Sequence, residues 1–328
     1  MNIGEGYDRQ IRKSTWAIIG AAVGLSYGLS LRLLAGLHVS GFEVMSLGFI
    51  VFMPFALGCV TVYFAELRAR QSLWVWALLP WVAVAGALAG TLVTLLEGWI
   101  CAVMFLPIAL LLATIGGIAG GVAGRIIRSR RIRAATMACV MVVPFFTASW
   151  EKPVFYQLES RQVENVIDIQ APPDVVWRNI ERVPAIRKDE LPETWAARIG
   201  FPDPIEATLS HEGVGGVRNA SFERGLAFIE TIDVWEPERR LAFTIAASKT
   251  TPLDEHVRVG GQYFDVLRGE YRLEPLDNGI TRLHLSSQQR VSTDFNWYAH
   301  LWTDAVMRDL QGRILVVIKR RCEDGQRF

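Results

Sequence analysis

The chain is 328 residues long, enough for two domains, and its 34 Lys/Arg against 33 Asp/Glu leave a formal net charge of +1. That balance hides a split: residues 1–150 hold 11 basic and 5 acidic residues, whereas residues 151–328 hold 23 and 28. The cations of the first half sit in short loops between apolar runs, which excludes the continuous basic face of a nucleic-acid binder. Four cysteines without a CxxC pair exclude a disulfide framework.

A bilayer core about 30 Å thick takes about 20 helical residues. Four apolar stretches meet that length: 15–37, 42–65, 73–95 and 99–124. A fifth, 134–150, is shorter and contains Pro144 but carries no charge, and it is counted as a span. The first run is too long for a signal-peptide core and no A-x-A site follows it, so it reads as a retained anchor. Arg9, Arg12 and Lys13 precede span one, Arg68 and Arg70 follow span two, and Arg125, Arg128, Arg130, Arg131 and Arg133 follow span four. The intervening loops, 38–41 and around Glu97, have no Lys or Arg. Under the positive-inside rule this alternation predicts five crossings of a bacterial inner membrane. The N-terminus is then cytoplasmic and the C-terminal half outside, in the periplasm of a diderm cell.

No Asp, Glu, Lys or His falls at mid-depth of a span, which disfavours a proton relay or an ion-coupled transporter. Arg32, toward the outer end of span one, is expected to snorkel to the interface. Glycine recurs every four residues at Gly20, Gly24 and Gly28, at Gly86 and Gly90, and at Gly116, Gly120 and Gly124. Such stripes let backbones approach closely, first between helices of one chain and alternatively across a homo-oligomer.

Residues 151–162 read as a linker. Strand alternation over Val163–Gln170 is broken by Ala171-Pro172-Pro173-Asp174, and a short helix, Val175–Arg182, follows. Alternating runs then come at Ile205–Glu212, Gly216–Arg224, Ala227–Trp235, Arg240–Lys249, Gly269–Glu274 and Thr281–Arg290, separated by Gly, Pro and Asn-Gly punctuation. Asn296–Arg321 predicts a long amphipathic helix burying Leu301, Trp302, Ala305, Val306, Leu310, Ile314 and Val317. The fold class is therefore an α-helical transmembrane bundle joined to an α+β domain.

The run Val166-Ile167-Asp168-Ile169-Gln170-Ala171-Pro172-Pro173-Asp174-Val175-Val176-Trp177 resembles the opening of the START/polyketide-cyclase superfamily (SRPBCC), where a first strand ends in A-P and a helix with V-W follows. Glu212–Arg218, Ile229–Pro237 and Arg239–Phe243 are similar to strands of that superfamily. The resemblance covers residues 163–323. It implies a helix-grip fold, a curved antiparallel sheet around a long C-terminal helix with a hydrophobic cavity between them. It implies no single activity, because members include lipid carriers, hormone receptors, cyclases and dioxygenase components.

Strand alternation points to the candidate site independently. Glu230 shares a face with Phe228, Ile232 and Val234, and Arg218 and Arg224 share one with Ala220 and Phe222. A carboxylate on an apolar face needs a partner, most simply Arg224 for Glu230. The bland reading is an ion pair at the sheet rim; the functional one is a grip on the polar end of a ligand. The candidate cavity residues are Glu230, Arg224, Arg218, Phe222, Phe228, Phe243, Tyr271 and Trp302. Trp302, like Trp297, equally reads as core or membrane-interface anchor, and Tyr271 as core.

Catalytic sets are wanting. The five histidines lack HxxxH or HExxH spacing, and no GxSxG elbow, P-loop, GxGxxG after a strand, or metal-ligand motif occurs. No cofactor or metal is expected. Glu190 and Glu193 form a candidate acid pair, with a solvated helix start as the simpler account. The leading expectation is a membrane-anchored, non-enzymatic protein whose partner is a lipid or other hydrophobic small molecule. A cyclase- or hydrolase-like enzyme with Glu230 as base, and an interaction module whose cavity is filled by Phe222, Phe228 and Phe243, stay open beside it.

Overall fold

The computed structural model describes residues 3–36, 46–127, 129–151, 159–248, 253, 259–261 and 263–325, and divides into two compact units, residues 1–156 and 157–328. The loop expected at 38–41, the start of the expected span 42–65 and most of the linker lie outside the described residues.

The first unit is built from helices α1 (Ile3–Gly36), α2 (Met53–Glu66), α3 (Leu73–Val93), α4 (Trp99–Ile126) and α5 (Arg130–Glu151). A π-helical turn, Gly48–Phe52, leads into α2. Four stretches are long and apolar enough to cross a bilayer: Gln10–Ala35, Gly48–Glu66, Leu73–Val93 and Trp99–Ile126. Helix α5 is not among them. Its apolar stretch, 134–150, lies between Arg133 and Glu151 and spans only about 25 Å at 1.5 Å per residue. Met137 of α5 nevertheless packs on Cys59, Val60 and Tyr63 of α2, and Tyr27 of α1 donates its hydroxyl hydrogen to the Met141 carbonyl at 2.8 Å.

The glycines explain how tightly this unit closes. A Cβ added at Gly116 would lie 2.0 Å from the Phe55 carbonyl oxygen, and one at Gly120 would lie 2.3 Å from that of Cys59. Gly20 and Gly24 admit Thr61 and Ala65 of α2, while Gly86 and Gly90 receive Leu25 and Leu29 of α1. All three stripes thus face helices of the same chain.

Both ends are held by charge. Arg12 donates to the Arg68 carbonyl at 3.1 and 2.5 Å, and Glu66 accepts from Gln71 N, Trp76 Nε1 and Arg125 Nη2. At the other end Arg32 does not snorkel. It is buried and bonds Glu97 Oε1 at 2.6 Å and the Leu96 carbonyl. The α3–α4 loop brings a carboxylate within reach, and a paired arginine has no need of the interface.

The second unit holds strands β1 (Glu159–Ile169), β2 (Pro204–Leu209), β3 (Val217–Phe222), β4 (Ala227–Glu236), β5 (Arg240–Ala247), β6 (Phe264–Pro275) and β7 (Thr281–Val291). Helix α6 (Pro173–Glu181) and a single turn, α7 (Trp195–Arg198), separate β1 from β2, and α8 (Asn296–Asp324) closes the chain. The strands form one curled antiparallel sheet in the order β1-β7-β6-β5-β4-β3-β2. Its main core joins α6 and α8 to the sheet through Trp177, Ile180, Ile232, Leu241, Leu283, Leu315 and Ile318.

Four sequence readings need correction. Strand β6 begins at Phe264 rather than Gly269, because the register slips between Val266 and Arg268 and breaks the alternation. A second slip at Asp233 carries Trp235 toward the core, where it meets Trp177 edge-on at 5.2 Å, so the face shared by Phe228, Glu230 and Ile232 does not run on in simple alternation. On α8 the buried positions include His300, Met307, Gln311, Leu315, Ile318 and Cys322, while Leu301 is 65% exposed. Counting apolar residues alone missed a stripe that carries polar side chains. The Glu190–Glu193 acid pair also dissolves: Glu190 is gripped by Arg321 at 2.8 and 3.0 Å, and Glu193 pairs with Arg198 at 3.1 Å. The Arg321 bonds hold the Glu190 carboxyl down at about 2.

The close approach of α2 and α4 is testable. Gly116→Ala should lower the stability of the full chain in mild detergent by about 1–3 kcal/mol, read as a fall in melting temperature. Gly124→Ala, whose Cβ would meet Glu66 Cβ at an ordinary 3.4 Å, should change it by less than about 0.5 kcal/mol. Equal falls in both variants would rule out glycine contact as the cause.

Candidate functional site

Alternation along β3 buries Arg218, Ala220 and Phe222 and exposes Asn219; along β4 it buries Glu230 and Ile232 and exposes Ile229 and Thr231. Antiparallel register sets Arg218 directly opposite Glu230. Arg218 Nη1 and Glu230 Oε2 lie 3.4 Å apart, with side chains only 3% and 11% exposed. On β5, Phe243 faces Gly269 of β6, where a Cβ would come within 2.5 Å of the Phe243 ring. The missing side chain makes room for that ring. The guanidinium carbon of Arg218 stands 5.0 Å from the Phe243 ring centroid and 5.8 Å from that of Tyr271. Four neighbouring strands therefore bring an arginine, a glutamate and two aromatic rings together on one inward face.

The pair is incompletely hydrogen-bonded. Arg218 Nε and Nη1 and Glu230 Oε2 are buried without a hydrogen-bond partner. Burial pushes the Glu230 carboxyl up from its ordinary value, and Arg218 only partly offsets it. Burial likewise raises the Tyr271 hydroxyl. An arginine with donors to spare, beside a carboxyl whose pKa burial has raised, can bind an acceptor, a donor, or a group that is both.

The remaining candidates lie elsewhere. Phe222 and Phe228 meet edge-on at 5.4 Å in an adjoining cluster with Val183, Ala207, Ala220 and Leu226. Trp302 sits by Trp195 at 6.2 Å and Tyr298 at 6.5 Å. Arg224 is not the partner of Glu230. The strand ends at Phe222, whose N–H bonds the Leu226 carbonyl, and Arg224 stands exposed in the intervening turn at φ +60°. Alternation extended two residues too far put it on the inward face.

The sequence reading also missed a second buried polar group. Gln289 of β7 donates to Asp304 Oδ1 at 2.7 Å, and Gln311 of α8 donates to Ser287 Oγ and the Val163 carbonyl at 3.0 Å each. The side-chain oxygens of both glutamines are without a partner. The signal was present: Leu283, Leu285, Ser287, Gln289 and Val291 alternate inward along β7. Among the described residues no group of three His, Cys, Asp or Glu could hold a metal ion. His284 lies on the opposite face of β7, between Glu164 and Glu274.

No protein-family model matches the chain, and no curated protein matches it. Solved structures match the C-terminal half. The Zhui aromatase/cyclase of Streptomyces sp. R1128 is 19% identical over 50% of this chain and 94% of that one, with a TM-score of 0.31. Norcoclaurine synthase of Thalictrum flavum, in complex with dopamine and hydroxybenzaldehyde, is 12% identical over 51% and 88%, with a TM-score of 0.34. DynU16, from the dynemicin biosynthetic locus, is 19% identical over 50% and 48%, with a TM-score of 0.30, so this chain spans about half of DynU16's length. The C-terminal unit fits the helix-grip fold. Strand order and the closing helix carry that description; the identities are too low to transfer an activity.

If the pair is not there for stability, replacing both members should cost little. Arg218→Met should destabilise the C-terminal unit by about 3 kcal/mol at pH 8, because it strands a buried carboxylate. The loss should shrink toward pH 5: the folded state then holds a proton on Glu230 that the unfolded chain releases, so stability falls as pH rises above the ordinary carboxylate value. Adding Glu230→Leu should restore stability to within about 1 kcal/mol. Pulse proteolysis of the full chain in urea measures all three. A double variant as weak as the single one would make the pair structural.

Proposed function

We propose that this chain is a membrane-anchored binding protein whose helix-grip domain holds a hydrophobic or amphipathic molecule, with Arg218 and Glu230 orienting its polar end. The observation that carries the reading is the buried, half-satisfied pair against Phe243 and Tyr271. A polar group left open inside an apolar shell loses free energy unless something completes it. A ligand with an apolar body and one polar terminus has that chemistry, and a membrane lipid has both parts. The short link supports a bilayer source: seven residues separate α5 from β1.

Glu230 also favours a second reading. A carboxyl with a raised pKa beside a buried tyrosine is what a general acid or base needs. A Glu230→Gln variant that keeps full turnover of an identified substrate removes catalysis and leaves binding.

The direct measurement is mass spectrometry of small molecules extracted from the full-length protein, purified from its native membrane in mild detergent. A lipid or other apolar compound should be enriched on the wild-type chain and fall about ten-fold or more on Arg218→Gln, since a charge-assisted hydrogen bond contributes about 1.5–3 kcal/mol. Equal amounts on both chains, or none on either, would count against the pair as a ligand grip and favour a filled interior.

For topology we propose that α5 crosses as a fifth span, with the N-terminus cytoplasmic and the C-terminal unit outside a bacterial inner membrane. The alternation of basic and non-basic loops supports this. Fused to the C-terminus, alkaline phosphatase should be active and a green fluorescent protein dark. The reverse pattern would place the domain inside.

A further inference from the structure

The basic end of the bundle holds an open groove of about 650 Å³ between the start of α1 and the loop after α2, lined by Arg12, Trp16, Glu66, Arg68 and Arg70 among others. We propose that this groove binds the phosphate of an anionic phospholipid.

The charge accounting comes first. Glu66 is the one acid of the lining, and its side chain is only 3% exposed. Its Oε1 already accepts from Gln71 N at 2.9 Å, Trp76 Nε1 at 2.7 Å and Arg125 Nη2 at 3.2 Å. Arg125 lies outside the lining, 4.1 Å over the Trp76 ring, and neutralises Glu66 from behind. Among the described residues, the three lining arginines, Arg12, Arg68 and Arg70, have no carboxylate partner. Arg12 spends two donors on the Arg68 carbonyl, which fixes its position without cancelling its charge. The Arg68 guanidinium stands 5.3 Å over the Trp16 ring and is exposed, as is Arg70.

Guanidinium forks match phosphate oxygens two at a time, and several of them around one concavity suit a phosphate better than a single carboxylate. The surroundings favour a lipid over a free anion. The loop runs straight into Leu73 and Trp74, 67% and 77% exposed, at the head of α3, and Leu67 of the lining is 39% exposed. A tryptophan-rich rim at the end of an apolar bundle is the depth at which headgroups sit, and basic pockets between spanning helices hold anionic headgroups there. At the other end the described arginine, Arg32, is buried against Glu97, although Trp99 is exposed there too. Lipid as the source rests on the membrane reading of the bundle; the arginine geometry does not.

The test is native mass spectrometry of the full-length chain in mild detergent, titrated in separate arms with phosphatidylglycerol, phosphatidylcholine and inorganic phosphate. One phosphatidylglycerol should be retained in preference to phosphatidylcholine. Arg68→Gln and Arg70→Gln should each weaken it about five-fold, as loss of one surface arginine near an anionic headgroup implies. Arg131→Gln removes the same charge outside the groove and should change it less than about two-fold. Both groove arginines are exposed, so an unchanged melting temperature is expected and certifies the fold. An equal loss in Arg131→Gln, or no loss in the groove variants, overturns the site. Inorganic phosphate that competes on equal terms, with the same variant losses, overturns the lipid as its occupant. Arg218→Gln, which alters the C-terminal domain alone, should leave this phosphatidylglycerol retained, so failure of one reading leaves the other visible.

Discussion

Burying an arginine and a glutamate inside an apolar sheet costs more than their mutual attraction returns unless the remaining donors and acceptors are satisfied. Two other arginines, Arg32 and Arg321, meet that condition well. Arg32 has Glu97 and the Leu96 carbonyl, and Arg321 has both oxygens of Glu190 plus the carbonyls of Pro184 and Ala185. Arg313, as deeply buried as Arg218, reaches Asp203 at 2.5 Å but leaves its Nε without a hydrogen-bond partner. Arg218 keeps a carboxylate at 3.4 Å and two aromatic faces but leaves two nitrogens open. It is poorly placed as a stabilising element and well placed to receive something.

The sheet is shaped to permit this. Gly269 withdraws a side chain so that the Phe243 ring can lie flat across β6 and present its face to the guanidinium. The register slips at Asp233 and near Leu267 sharpen the local bend on the two strands that flank β5. Arg268 and Asp233 pair across β5 at those irregular points, tying β4 to β6. On the far side of the unit, Gln289 and Gln311 place amide oxygens between β7 and α8. The interior is thus an apolar core with two polar inclusions rather than a uniform hydrophobic filling.

Much of the fold could be read from residue patterns because strands β1, β3 and β7 keep a period of two between clear turn signals. The Ala171-Pro172-Pro173 break also lies where α6 begins. Reading failed where a rule was carried past its local cause. Arg224 looked inward only while β3 was assumed to continue, and a left-handed turn residue obeys no alternation. On α8 Val317 is buried and Leu310 and Ile314 pack on the cores as expected, but the buried face also carries His300 and Gln311, polar residues invisible to a count of apolar ones. Arg32 was read as a snorkelling side chain because Glu97 is 65 positions away in sequence, and only the antiparallel packing of the helices joins them. At the site, Glu230 and Arg218 were each legible as inward charges, but their pairing depends on strand register, which one sequence does not specify.

The ends of the bundle also bear on what the first unit can do. Its described helices are sealed by glycine contacts so close that Gly58 abuts the Ala113 carbonyl and Gly117 that of Trp76. The ion pairs Arg32–Glu97 and Arg125–Glu66 stand at opposite ends of these helices, and between them Leu57, Ala83, Val84, Ala109 and Ala113 pack together, with Thr61 buried on α2 one turn from Leu57 and bonding its carbonyl. Among the described residues, charge with donors or acceptors left open remains at the arginine groove of the first unit and at the Arg218–Glu230 pair of the second.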